Sequence, residues 1–237
     1  MTIDLTAPSP NPSPIGSTNP PTERRAHAAA SVGAISLQFL RQSWAGLRLL
    51  LGFTVLLGIA YPLAVTGVGQ LVFPWQANGS LVTSTGARAS SPGESGVIGS
   101  ALIGQSFDGP AWFAPRPSNA GDGYDTLASA GSNLGPTNPD LLATVAERRQ
   151  AVADREGIDP ATVPPDALTA SASGLDPEIS PAYAALQVAR VAAARSLPVS
   201  DVAALVEANT QARTLGVLGE PRVNVLRLNL ALERIAG

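Results

Sequence analysis

Cysteine and lysine are both absent from this chain of 237 residues, so all 15 basic residues are arginine. Histidine occurs once, as His27, and methionine once, as Met1. Each absence removes a class of chemistry. Without cysteine there is no disulfide framework, thiol nucleophile or thiolate metal site. Without lysine there is no P-loop contact to phosphates, no kinase lysine and no Schiff base. A Ser–His–Asp triad needs an imidazole beside its serine, and no histidine follows His27. Zinc sites normally draw on His or Cys and are disfavoured in the same way. Carboxylate and hydroxyl chemistry survive. Aromatic residues make up only 5% of the chain, which is little for a sugar platform beside a carboxylate pair such as Asp122 and Asp125. A net charge of −3 argues against a nucleic-acid partner, which calls for a basic patch.

Charge is unevenly spread. Residues 1–48 hold four arginines and two acids, and the remainder holds 11 arginines and 16 acids. Residues 1–23 contain six prolines among Ser, Thr and Asn, a composition that cannot bury enough apolar surface to fold alone. Residues 24–44 are transitional: Ala28–Trp44 is a candidate surface helix, and a disordered juxtamembrane linker is the simpler reading. The stretch Leu49–Val72, LLLGFTVLLGIAYPLAVTGVGQLV, has no charge. As a helix it would reach about 36 Å, enough to cross a hydrocarbon core of about 30 Å. Pro62 is its one kink candidate. Trp44 flanks one end, and Phe73 and Trp75 the other, as interfacial aromatics do. A cleaved signal peptide has a shorter apolar region, and a buried core helix would rarely stay uncharged from Arg48 to Arg88. Arg41 and Arg48 flank the N-terminal end, so the positive-inside rule puts the N-terminus in the cytoplasm. The expected limits are a cytoplasmic tail over 1–44, a transmembrane helix over 45–74 and an extracytoplasmic domain over 75–237.

Within that domain, Ser80–Val82, Val97–Ile103 and Ala111–Ala114 read as short strands between Gly, Pro and Ser loops. Asn138–Pro139 is a cap-plus-proline signal for a helix to about Glu156, with Gly157 as its stop. Residues 157–170 read as loop. Ser180–Pro181 repeats the signal for a helix to about Arg195, and Ser200–Asp201 caps a third to about Ala212. Val223–Ile235 alternates at first and then takes a helical period, which favours helix. The fold class expected is one N-terminal transmembrane helix plus a soluble α+β extracytoplasmic domain.

Eight strings occur in a consistent order: YPLAVTG (Tyr61–Gly67), QLVFPWQANGSLV (Gln70–Val82), GSALIGQSF (Gly99–Phe107), WFAPRPS (Trp112–Ser118), SAGSNLGPTNP (Ser129–Pro139), LTASASGLDPEISP (Leu168–Pro181), QVARVAAAR (Gln187–Arg195) and VNVLRLNLAL (Val223–Leu232). Together they resemble the C subunit of the Kdp-type bacterial potassium-transporting ATPase, from about Leu49 to the C-terminus. There are departures. The family starts close to its membrane helix, whereas this chain has a long segment ahead of it. Ala130 stands where the family usually has Gly, and the loop Ser84–Ser95 is enlarged.

The resemblance implies a non-catalytic accessory subunit of a high-affinity, ATP-driven potassium uptake pump. Its partners there are a channel-like potassium-binding subunit and a P-type ATPase subunit, with membrane lipid around the helix. In that family the small subunit stabilises the complex and acts as a catalytic chaperone that raises the ATPase subunit's affinity for ATP. Potassium is the ion the complex transports. The residues agree with an accessory role: a DKTG-type phosphorylation site needs a lysine, and no TVGYG-like filter is present. A stand-alone membrane-tethered extracytoplasmic binding module is the alternative.

Two sets of site residues follow. Trp75, Gln76, Asn78 and Gly79, just past the helix, are candidates for contact with a partner subunit. Ser171, Ser173, Gly174 and Gln187 loosely resemble nucleotide-reading motifs. Their simpler reading is a capping loop and an exposed glutamine, and an extracytoplasmic domain would not meet cytoplasmic ATP. Asp122, Asp125, Asp140, Asp176 and Glu178 form an acidic set that would raise local cation concentration near a pore mouth, with ordinary solvated charge as the simpler reading.

Overall fold

The computed structural model describes the backbone of residues 21–236 and the side chains of residues 37–235. Of the cytoplasmic tail expected over 1–44, residues 1–20 lie outside the described residues. The chain divides into two units at Val65 and Thr66.

The first unit is helical. Helix α1 spans Pro21–Val55 and a π-helical turn spans Leu56–Ala60; helix α2, Tyr61–Val72, begins here. The disordered linker favoured for residues 24–44 is therefore replaced by helix. No proline falls between Pro21 and Pro62, and the stretch is rich in alanine and leucine, which are strong helix formers. The π turn lies just before Pro62. Proline has no N–H and its ring crowds the carbonyl four residues back, here that of Gly58, and widening one turn absorbs that conflict. Leu37–Val72 is long and apolar enough to cross a membrane, and its apolar window is not buried inside the protein. Leu50, Leu57 and Leu63 are each more than half exposed, unlike the side chains of a soluble core helix.

The second unit mixes helices with very short strands. After α2 come helix α3, Pro74–Ala77, and strands β1, Leu81–Thr83, and β2, Val97–Ser100. These strands pair antiparallel, with an irregularity between Val82 and Thr83. Helix α4, Pro139–Glu156, starts and stops where its signals lie. Asn138 accepts from the N–H groups of Asp140 and Leu141, and Gly157 closes it in the left-handed conformation with φ +68°, which glycine adopts without strain. The expected loop 157–170 contains two 3-10 turns, Pro160–Thr162 and Pro165–Ala167. Strand β3, Glu178–Ile179, leads into helix α5, Pro181–Arg195, capped by the Ser180 hydroxyl on the Tyr183 N–H.

Helix α6, Val199–Ala208, begins earlier and ends earlier than its Ser200–Asp201 signal predicts. Thr210–Gln211 is strand β4 instead, paired with β5, Arg222–Asn224. Strand β5 is central in the order β3-β5-β4 and runs directly into helix α7, Val225–Ala236. The alternation at Val223 and the helical period after it are thus two elements, strand then helix.

Helix α7 joins two apolar clusters. Leu228 and Leu232, four apart and so on one face, enter the main cluster with Phe113, Tyr183, Val191 and Val202. Leu226 and Leu230 enter a smaller one with Val82, Ala101 and part of Trp75. A helix buried on two faces leaves little room for its polar residues, and Asn229 is among the buried ones.

Candidate functional site

The segment expected as a third strand, Ala111–Ala114, is not a strand. Among the described residues no backbone ladder reaches it; side chains from α5 and α7 bond its peptide groups instead. Asn229 accepts from the Phe113 N–H at 2.9 Å and donates to the Phe113 carbonyl at 2.9 Å. Gln187 accepts from the Ala114 N–H at 2.7 Å and donates to the Ala114 carbonyl at 3.2 Å. Each amide side chain thus presents one donor and one acceptor, as a neighbouring strand would. Arg190 donates to the carbonyls of Pro110 and Trp112, and Arg195 to that of Ala111. The Arg195 guanidinium also lies 4.2 Å from the Trp112 ring centre, a cation–π contact. Arg190 is held in turn by the Glu156 carboxylate at 3.0 Å.

Gln187 is therefore not an exposed glutamine but a fully buried strut. Its oxygen also accepts from Arg190, and its nitrogen also donates to the Tyr183 carbonyl. The other three residues of the nucleotide set sit in a separate loop and share no hydrogen bond with Gln187. There, the Ser173 hydroxyl accepts from the Leu175 N–H, and the Ser173 carbonyl accepts from the Ala130 N–H and the Ser129 hydroxyl. The Ser171 and Ser173 hydroxyls are 3.4 Å apart.

This loop is one half of a hub. The Ser118 hydroxyl donates to the Gly174 carbonyl and accepts from the N–H groups of Ala120 and Tyr124. Tyr124 donates through its hydroxyl to the Arg116 carbonyl, and burial pushes its pKa well above the usual tyrosine value. Arg116 pairs with Asp176 at 2.9 Å and reaches the Thr169 carbonyl. Gly174 has φ +68°, and a Cβ built there would stand 2.7 Å from the Ala120 nitrogen and 2.7 Å from the Ala130 oxygen. The strings SAGSNLGPTNP and SGLDPEISP, some forty residues apart in sequence, thereby lock together.

Several members of the acidic set are engaged within the fold. Asp176 is paired with Arg116, Asp125 accepts from the Leu127 N–H, and Asp140 lies in the first turn of α4. Glu178 accepts from Asn224 at 3.2 Å through one oxygen, while the other is buried without a partner. Burial pushes its pKa up. A raised folded pKa means the folded state holds the proton more tightly than the unfolded chain, so this contribution is complete below the ordinary glutamate range and is lost as pH rises through the folded value. Glu178→Gln is expected to flatten the fall in stability between mildly acidic and neutral pH. Urea midpoints of the full chain in detergent across a pH series measure it, and an unchanged slope would mean a solvated carboxylate.

Past the apolar helix, the four partner-contact candidates behave differently from one another. Trp75 donates its indole N–H to the Leu81 carbonyl at 2.8 Å and packs on the smaller core cluster, so it is tied into its own domain. Asn78 exchanges two amide hydrogen bonds with Gln70 and donates to the Pro74 carbonyl. Gly79, at φ +87°, turns the chain into β1, and its carbonyl accepts from the Ser100 hydroxyl. Gln76 is exposed.

Other exposed side chains carry no signal in the sequence order. The turn after β4 presents Leu215 and Val217 at 86% and 73% exposure, with Leu218 beside them. It is clasped by reciprocal backbone bonds between Thr214 and Leu218 and by an Arg213–Glu220 ion pair. Leu215 itself adopts φ +54°, a strained angle for a branched side chain. Leu127, beside the hub, is 96% exposed.

Known proteins resemble this chain over most of its length. Residues 43–234 match the family model described as KdpC, the c chain of the K+-transporting ATPase. A protein of Kineococcus radiotolerans, the potassium-transporting ATPase KdpC subunit, is 57% identical over 197 residues, covering 83% of this chain and 95% of that one. The protein of the same description from Beijerinckia indica is 54% identical over 197 residues, covering 83% of this chain and 94% of its own. The one from Mycobacterium tuberculosis H37Rv is 56% identical over 196 residues, covering 82% of this chain and 99% of its own. With the match running from the apolar helix through the hub to α7, the chain belongs to the KdpC family of potassium-transporting ATPase subunits.

Proposed function

We propose that this chain is a non-catalytic assembly subunit of an ATP-driven potassium uptake pump. Helix Leu49–Val72 spans the membrane and packs on larger subunits, and residues 75–237 lie outside the cell. The observation that carries this reading is the set of aliphatic side chains held out on braced loops, Leu215, Val217 and Leu218 above all. Exposed apolar groups on a rigid turn cost little entropy to dock and lose water when covered. The partners are the channel-like subunit that binds potassium and the P-type ATPase subunit that hydrolyses ATP. The rise in ATP affinity that the family resemblance implies is then transmitted through subunit contacts. Gln187 has no free amide atom to offer a nucleotide, and Gly174 stands against backbone with no space in front of it, which supports transmission rather than direct contact by Ser171, Ser173, Gly174 and Gln187.

Two experiments test this. Replacing Leu215 with asparagine, which tolerates its positive φ, together with Val217→Ser, is expected to cut co-purification of the pump subunits by an order of magnitude while leaving the melting temperature unchanged. Full recovery of the complex would remove the hairpin from the interface. For orientation, the chain has no native cysteine, so a single Ser171→Cys reports alone. Labelling by a membrane-impermeant maleimide in intact cells is expected, and labelling only after lysis would reverse the topology.

A further inference from the structure

Three arginines converge where the chain leaves its apolar helix. Arg88, in the loop between β1 and β2, has its guanidinium 4.7 Å from the Trp75 ring centre, and Arg227, on α7, lies 5.5 Å from the same ring. Arg234 is seven residues after Arg227, two helical turns along the same face of α7. Its guanidinium lies within 3.7 Å of a Cβ built on Gly86, in the loop that carries Arg88. Among the described residues none of the three has a carboxylate within 4 Å. Of the neighbouring acids, Glu94 accepts from the Ser90 N–H, Glu233 faces Arg195 at 3.6 Å, and Glu178, close enough to Arg227 to feel its charge, bonds Asn224 instead. Arg88 and Arg234 are exposed and Arg227 is half-buried.

Three arginines against one unpaired carboxylate leave an excess of positive charge, which repels itself unless an anion is supplied. Sequence position says which anion is at hand. Trp75 follows Val72, the last residue of the apolar helix, by three residues, and Leu71, Val72 and Phe73 beside it are exposed apolar side chains. A tryptophan at that depth sits at the level of lipid headgroups, and guanidinium pairs with phosphate in a planar, two-point geometry.

We propose that Arg88 and Arg227 over Trp75, with Arg234 beside the loop that carries Arg88, bind the phosphodiester headgroup of an anionic phospholipid at the membrane surface. The indole holds two guanidiniums over its ring and leaves their N–H groups for phosphate oxygens. The site fixes the depth and rotation of the folded unit at the bilayer. It rests on the reading of Leu49–Val72 as a membrane span and not on which side of the membrane the unit lies.

Native mass spectrometry of the full chain in non-ionic detergent, with equimolar phosphatidylglycerol and phosphatidylcholine, tests this. Retention of phosphatidylglycerol is expected to be favoured by about fivefold for each arginine engaged, and to weaken with salt. Arg88→Gln, Arg227→Gln and Arg234→Gln together should abolish the preference, and the three lysine replacements should restore part of it. Equal retention of both lipids by the native chain, or an unchanged preference in the glutamine variant, overturns the site. A glutamine variant that keeps its lipid preference but loses pump subunits would make the patch a protein interface and likewise overturn it. Extraction of the native chain from membranes by alkaline carbonate would instead overturn the span on which it rests.

Discussion

Asn229→Leu is expected to destabilise the folded unit by about 2–6 kcal/mol, because it leaves two backbone groups of Phe113 unpaired at about 1–3 kcal/mol each. Asn229 is 1% exposed and Phe113 is fully buried, so no water replaces the lost partners. Stabilities of this size of protein are about 5–15 kcal/mol, so the change removes a large fraction of the whole. The melting temperature should fall by roughly 10 °C, at about 2–4 °C per kcal/mol for such a chain. Near-ultraviolet circular dichroism is the readout, because Trp112 adjoins the segment that is released. Asn229→Asp is the informative companion. It keeps the acceptor for the Phe113 N–H and loses the donor to the Phe113 carbonyl, so it should also destabilise, with a buried charge added. Gln187→Leu is expected to act in the same way on Ala114. The double variant should cost less than the sum, since both amides hold one segment and the first loss already frees it. A melting temperature unchanged in Asn229→Leu would mean that the two bonds between Asn229 and Phe113 contribute nothing to holding the segment 110–114.

Gly174→Val should have an effect of similar size by a different route. Its Cβ would stand 2.7 Å from two backbone atoms, the Ala120 nitrogen and the Ala130 oxygen, and backbone cannot rotate aside as a side chain can. Left-handed φ costs a branched residue about 1–2 kcal/mol, and overpacking adds about 1–3 kcal/mol. The expected total is about 2–5 kcal/mol, with Gly174→Ala somewhat below Gly174→Val. Ser171→Ala should be close to neutral, because its hydroxyl reaches only Ser173 at 3.4 Å. If the loop served a nucleotide rather than the fold, the serine and glycine variants would be impaired alike in ATP affinity of the assembled pump while the melting temperature stayed constant. Parallel melting curves and ATP titrations of the complex separate these outcomes.

The legible parts of this fold share a local cause. Asn138–Pro139 and Ser180–Pro181 carry their helix starts within four residues, and Gly157 its helix stop, so no distant partner was needed to read them. Where a boundary moved, a distant residue moved it. Thr210 and Gln211 leave the expected third helix because Val223 and Arg222 pair with them. Ala111–Ala114 has the pattern of a strand, yet the groups that bond its backbone lie on α5 and α7, 73 residues away for Gln187 and 116 for Asn229. The candidate site residues are placed unevenly for the same reason. Gln76 is exposed, whereas Trp75 is held by Leu81 and the smaller core cluster.

By itself, the sequence determined that an uncharged apolar helix precedes an α+β domain, that thiol, lysine and imidazole chemistry are missing from that domain, and that the chain resembles one subunit of a potassium pump. These are properties of composition, of runs and of strings in order, which need no third dimension. Only the tertiary structure decided that Gln187 is a buried strut, that the loops around Ser118 and Gly174 interlock, and that Arg88 and Arg227 meet at Trp75 with Arg234 beside the loop that carries Arg88. A side chain's role depends on which atoms it can reach, and for these residues the atoms in reach come from segments dozens of residues away.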